Sequence, residues 1–111
     1  MEYMNWKVLT EVSQLEEIDD FSNEKTQLIF KHSTRCIISK MALQNFERSF
    51  NSDNVDCYLL DLIKFREISN HIASRYQITH ESPQVLVIKN AKVIYHESHE
   101  GINAQEVENI L

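Results

Sequence analysis

Short apolar and β-branched runs alternate along this chain with segments whose apolar residues recur at helical spacing, and that alternation restricts the possible folds most. The runs "WKVLT" (6–10), "TQLIFKH" (26–32) and "VDCYLLDLI" (55–63) are short and bounded by polar residues, which predicts strands. The third suits a sheet covered on both faces. Between the first two, Ser13 and Glu16 form a capping-box pattern ahead of Leu15, Ile18 and Phe21, the apolar positions of a first helix. Leu43, Phe46 and Phe50 give a second helical face, running from Cys36 to the turn cluster "NSDN" at 51–54. Phe65, Ile68, Ile72 and Tyr76 mark a third helix, after which "SPQVLVI" (82–88) and "KVIYHES" (92–98) read as a hairpin. The stretch "NAQEVENIL" predicts a last helix capped by Asn103, with Val107, Ile110 and Leu111 turned inward. The order places the chain in the α/β class: a parallel, alternating first part followed by an antiparallel hairpin with a helix over it.

A length of 111 residues at 42% hydrophobic composition is enough for one core, and neither a repeat nor a linker interrupts it, so a single domain over 1–111 is expected. The N-terminal "MEYMNWKVLTEVSQ" has no basic and apolar leader pattern, and no apolar run approaches the roughly 18 residues of a membrane span. A cytoplasmic protein is the expectation. A net charge of −6 makes phosphate backbones and anionic membranes poor partners. Two cysteines in a reducing compartment do not suggest a disulfide framework, which leaves packing, metal ligation or redox chemistry as uses for a thiol.

Charge singles out one of them. No acidic residue lies between Glu24 and Glu47, while Lys25, Lys31, Arg35 and Lys40 all do, so Cys36 sits in a cationic window of an acidic chain. At a strand-to-helix junction its sulfur would face unpaired backbone N–H groups and the positive end of the helix dipole, and Arg35 adds a full charge. Both favour thiolate over thiol, the form that acts as nucleophile. Ser39, one turn on, is a candidate donor to that sulfur or a plain helix serine. Cys57, amid strand residues, reads as packing. His96 and His99 in "HESHE" lack the helical spacing of a zinc-protease motif and read as surface residues, whereas His32 precedes the cationic turn and could tune the field there.

The element order, the junction "LIFKHSTRCIIS" and the run "RYQITHESPQVLVIKNAKVIYHESHEGINAQEVENIL" resemble the thioredoxin fold over nearly the whole chain. The resemblance implies a central mixed sheet flanked by helices on both faces. More narrowly, "TRCIIS" is similar to the signature of the YtxJ family of monothiol bacilliredoxins. Departures from ordinary thioredoxins are coherent with one working thiol: Ser39 replaces the second cysteine, Phe30 replaces the buried acid that helps deprotonate it, and Arg35 replaces a tryptophan. The resemblance implies Cys36 as nucleophile with Thr34, Arg35 and Ser39 in support. It also implies that Pro83 is a cis-proline, with the Ser82 backbone pairing with substrate, and Lys31 and Lys40 would join Arg35 in a rim for an anionic small thiol. No bound cofactor or metal is implied. Bacillithiol is the expected co-substrate and S-thiolated proteins the expected clients, although glutathione is anionic too. Two other classes fit the chain: an iron–sulfur carrier of the monothiol glutaredoxin kind, weakened by Ile37 and Ile38 in place of its glycine and phenylalanine, and a redox-inert binding module.

Overall fold

The computed structural model describes residues 4–111. In chain order the elements are β1 (Lys7–Val8), α1 (Gln14–Phe21), β2 (Thr26–His32), α2 (Ile37–Ser49), β3 (Val55–Asp61), α3 (Arg66–Tyr76), β4 (Gln84–Lys89), β5 (Lys92–Ser98), a 3-10 turn (His99–Gly101) and α4 (Ala104–Asn109). Five strands form one sheet in the order β1-β3-β2-β4-β5. β3 is parallel to both β1 and β2, whereas β4 is antiparallel to β2 and β5, so the sheet is mixed as expected.

The period of two along β2 divides the core. Leu28 and Phe30 point to one face, into a cluster with Phe46, Val85, Val87 and Val107 beneath α2 and α4. Ile29 points to the other, with Leu15, Ile18, Ile68, Ile72 and Leu86 beneath α1 and α3. Because β2 has a strand on each side and helices on each face, its sequence reads as one apolar run. Phe46 stacks on Phe50 at 4.9 Å and meets Phe30 at 5.5 Å, which seats α2 against the strand that leads into it.

Several local expectations change. The 6–10 strand shrinks to a two-residue edge pairing. Ser13 does not cap α1: its backbone is already helical (φ −59°, ψ −23°) and it makes no capping bond, while Gln14 Oε1 accepts the N–H groups of Thr10 at 2.8 Å and Glu11 at 2.9 Å. Phe21, the last residue of α1, and Ile110, just past the end of α4, both expected inside, are 49% and 41% exposed. Asn103 does cap α4, accepting the Glu106 N–H at 3.1 Å. The β4–β5 turn puts Asn90 and Ala91 at φ 53° and 63°, held by their N–H groups donating to Ser22. Among the described residues no helix is long and apolar enough to cross a membrane.

Candidate functional site

The site lies where β2 runs out. The chain turns through residues 33–36, with the Cys36 N–H donating to Ser33 O at 3.2 Å, and Cys36 becomes the N-cap of α2 in extended conformation (φ −107°, ψ 121°). Its carbonyl accepts the Lys40 N–H at 3.1 Å, opening the helix, and its side chain makes no capping bond. Cys36 is partly exposed, and Thr34, Arg35, Ile37, Ile38 and Lys40 around it are exposed. The antiparallel register, Lys31 opposite Gln84, carries the segment preceding β4 to this same end of the sheet. That segment holds a cis peptide at Ser82–Pro83. Pro83 O accepts the His99 N–H at 3.0 Å, which brings the 3-10 turn to the same rim. Among the described residues neither backbone group of Ser82 pairs with another backbone group, and its hydroxyl oxygen is buried without a partner.

Ser39 is fully buried, and its hydroxyl serves the strand that precedes the turn: Oγ accepts the Ser33 N–H at 2.9 Å and lies 2.8 Å from Nδ1 of His32. Burial pushes His32 below its ordinary value of 6.5, with Asp61 opposing, Lys40 adding to the shift and Glu47 opposing. Thr34 reaches toward Asp61, Oγ1 to Oδ1 at 3.4 Å.

Lys31 is not part of an exposed rim. It lies on the opposite face of β2 from Phe30 and His32 and is fully buried, its Nζ 2.7 Å from His80 Nδ1 and 3.1 Å from Gln84 Oε1. Desolvation lowers it to about 8. The cationic rim therefore reduces to Arg35 and Lys40: alternation puts Lys31 on the Ile29 face of β2, and α1 and α3 cover that face.

Cys57 pairs in register with Leu28, while His32 pairs with Asp61 at the end that carries the turn. Four residues of strand, about 13 Å, separate Cys57 from that end. It is buried and cannot meet Cys36 without unfolding. Beside the turn, Ile37, Ile38 and Met41 are 73%, 58% and 57% exposed, and Ile38, Met41 and Ala42 form one wall of a groove facing His99, Glu100 and Ile102. The helical pattern read from sequence stopped at the inward face of α2 and missed these outward apolar residues. Their placement at 37, 38 and 41, off the 43/46/50 face, was the available signal. Among the described residues no three His, Cys, Asp or Glu side chains gather as metal ligands would.

A cysteine at the N-cap of the helix after the central strand, with a cis X–Pro segment at the same sheet end, defines the class: oxidoreductases of thioredoxin type. Solved structures agree. The chain is 27% identical to a candidate oxidoreductase with a thioredoxin fold, covering 92% of this chain and 89% of that one at a TM-score of 0.80. It shares the fold of the thioredoxins of Malassezia sympodialis (17% identity, 99% and 91% covered, TM-score 0.74) and Trypanosoma brucei brucei (16%, 98% and 93%, 0.74). The model of the monothiol bacilliredoxin BrxC family matches residues 7–107, and the chain belongs to that family.

Proposed function

We propose that this protein removes a low-molecular-weight thiol, bacillithiol first among candidates, from mixed disulfides with client proteins, using Cys36 alone. The observation that carries the reading is the placement of the two thiols. Cys36 caps α2 at the open end of the sheet, whereas Cys57 is buried about 13 Å of strand away from that end and cannot resolve an intermediate. The cycle therefore closes from outside. The Cys36 thiolate attacks the small-thiol sulfur of the mixed disulfide, and the electron pair of the breaking S–S bond leaves on the client sulfur, which takes a proton from solvent. A new disulfide now joins Cys36 to the small thiol. A second small-thiol molecule, as its thiolate, attacks the small-thiol sulfur of that disulfide and releases the Cys36 thiolate together with the oxidised small-thiol dimer. Over the cycle the mixed disulfide and one small thiol become the free client thiol and the small-thiol disulfide, so one client sulfur is reduced and one small-thiol sulfur oxidised.

Arg35 and Lys40, both exposed beside Cys36, suit the carboxylates of such a thiol. The unpaired backbone of Ser82 suits strand-like pairing with a client segment. Intact-mass analysis after incubation with a bacillithiolated client, and separately with a glutathionylated one, tests the reading. A single small-thiol adduct on Cys36 together with a freed client thiol is expected, with bacillithiol the faster. Absence of any adduct, or an adduct confined to Cys57, would overturn it.

A further inference from the structure

Ser39 is the third residue of α2 and Cys36 its N-cap, the two positions whose groups reach across the first helical turn to one another. Residues three apart share a helix face, so a free hydroxyl there would have its hydrogen available to the side chain of the cap. Here the hydroxyl is engaged elsewhere: one lone pair takes the Ser33 N–H at 2.9 Å, and Nδ1 of His32 stands 2.8 Å away. A hydroxyl has one hydrogen to give. Given to Nδ1, it is not available to Cys36, whose side chain makes no capping bond of its own among the described residues.

We propose that His32 is a positioning residue for the thiol reaction, holding the Ser39 hydrogen away from Cys36 so that the thiolate keeps its full nucleophilicity. The inference rests on the reading of Cys36 as the reacting thiol. A thiolate that accepts a further hydrogen bond is stabilised and attacks more slowly, since nucleophilicity falls with basicity. Holding Nδ1 as an acceptor requires a neutral imidazole. The surroundings of the ring favour that form at neutral pH: burial and Lys40 of α2 work against the charge, and Asp61 of β3 and Glu47 of α2 only partly oppose them. Ser33, anchored by the same hydroxyl, carries the carbonyl that takes the Cys36 N–H, so the pair also fixes the turn from which the sulfur is presented.

The test is a double-mutant cycle read on the plateau rate of Cys36 alkylation by iodoacetamide, at pH high enough that the rate no longer rises. His32→Phe keeps a planar ring, removes the acceptor and frees the Ser39 hydrogen. The plateau should fall roughly three- to tenfold, the size of one hydrogen bond. Adding Ser39→Ala to His32→Phe removes that hydrogen and should restore the wild-type plateau. A merely structural role predicts the opposite, a double variant as slow as His32→Phe or slower, and that result overturns the proposal. Should His32→Phe fail to fold, long-range 1H–15N spectra of the wild-type protein at pH 7.5 decide. Nδ1 of His32 is expected as the unprotonated nitrogen, and a hydrogen on Nδ1 refutes the arrangement. None of these readouts needs a small thiol or a client, so inertness toward mixed disulfides would sink the proposed function and leave this pair standing, while an unrescued plateau would do the reverse.

Discussion

Burial and the neighbouring Asp56 carboxylate, with Lys25 opposing, push the Cys57 thiol up to about 12, while Cys36 sits partly exposed at a helix start. At pH 8 Cys57 is held almost wholly as the unreactive thiol. Iodoacetamide should therefore label Cys36 to completion in the folded protein and leave Cys57 untouched, both being labelled in urea; peptide mapping that finds Cys57 modified without denaturant would contradict the structure. Arg35, exposed and adjacent to Cys36, is the residue on which recognition of an anionic thiol is expected to depend. Arg35→Glu should slow reduction of small-thiol mixed disulfides by roughly three- to tenfold at low ionic strength, with the gap closing in high salt as exposed charges are screened. A salt-independent rate equal to wild type would remove the rim from the mechanism. Cys36, Arg35 and Lys40 could be found in the sequence because exposure at a junction needs only local pattern. Lys31 could not be placed by counting charges, because which face of β2 it occupies is settled by the strand's neighbours on both sides.

At the scale of elements, the β2–turn–α2 unit determines what position 39 can do. Residues 36 and 39 share the first turn of α2, so Ser39→Cys should close an intramolecular disulfide and release the small thiol in its first turnover. The sequence suggested that a cysteine here would lack a base, since Phe30 occupies the place of the buried acid. The structure puts His32 Nδ1 2.8 Å from Oγ of residue 39, where an unprotonated ring nitrogen would serve as that base. Intact mass should show the oxidised variant two mass units lighter than its dithiol form. A persistent small-thiol adduct, with no 36–39 bridge on peptide mapping, would mean the turn does not bring the two together. The β4–β5 hairpin offers an independent check on backbone geometry. Ala91 is held at φ 63°, a region L side chains disfavour, in a turn of the kind that prefers glycine as its second residue. Ala91→Gly should stabilise the protein by about 1 kcal/mol, read as a higher urea midpoint at unchanged slope.

For the whole molecule, one buried ammonium shapes how stability varies with pH. Among the described residues Lys31 meets no carboxylate, only His80 and Gln84, and desolvation lowers it from 10.5 to about 8. Below pH 8 both folded and unfolded chains hold the proton, so the penalty is present in full. Between about 8 and 10.5 the unfolded chain binds the extra proton, so this residue makes the fold more stable as pH rises. Relative to Lys31→Met, wild-type stability should improve from pH 7.5 to pH 10 by about 2 kcal/mol. Urea titrations at the two pH values measure it, and a constant difference would place the amine in water. What the sequence determined alone was the order of elements, the mixed sheet, the strand-to-helix junction at Cys36 and the cap at Asn103, because each rests on periodicity or on side chains acting within a few residues. Other features came only from tertiary structure: Lys31 turned under the sheet toward His80, His32 seated on Ser39, Cys57 stranded in mid-sheet, and the outward apolar face of α2 beside the 3-10 turn. Each depends on which distant strand or helix lies opposite, and chain neighbours do not carry that information.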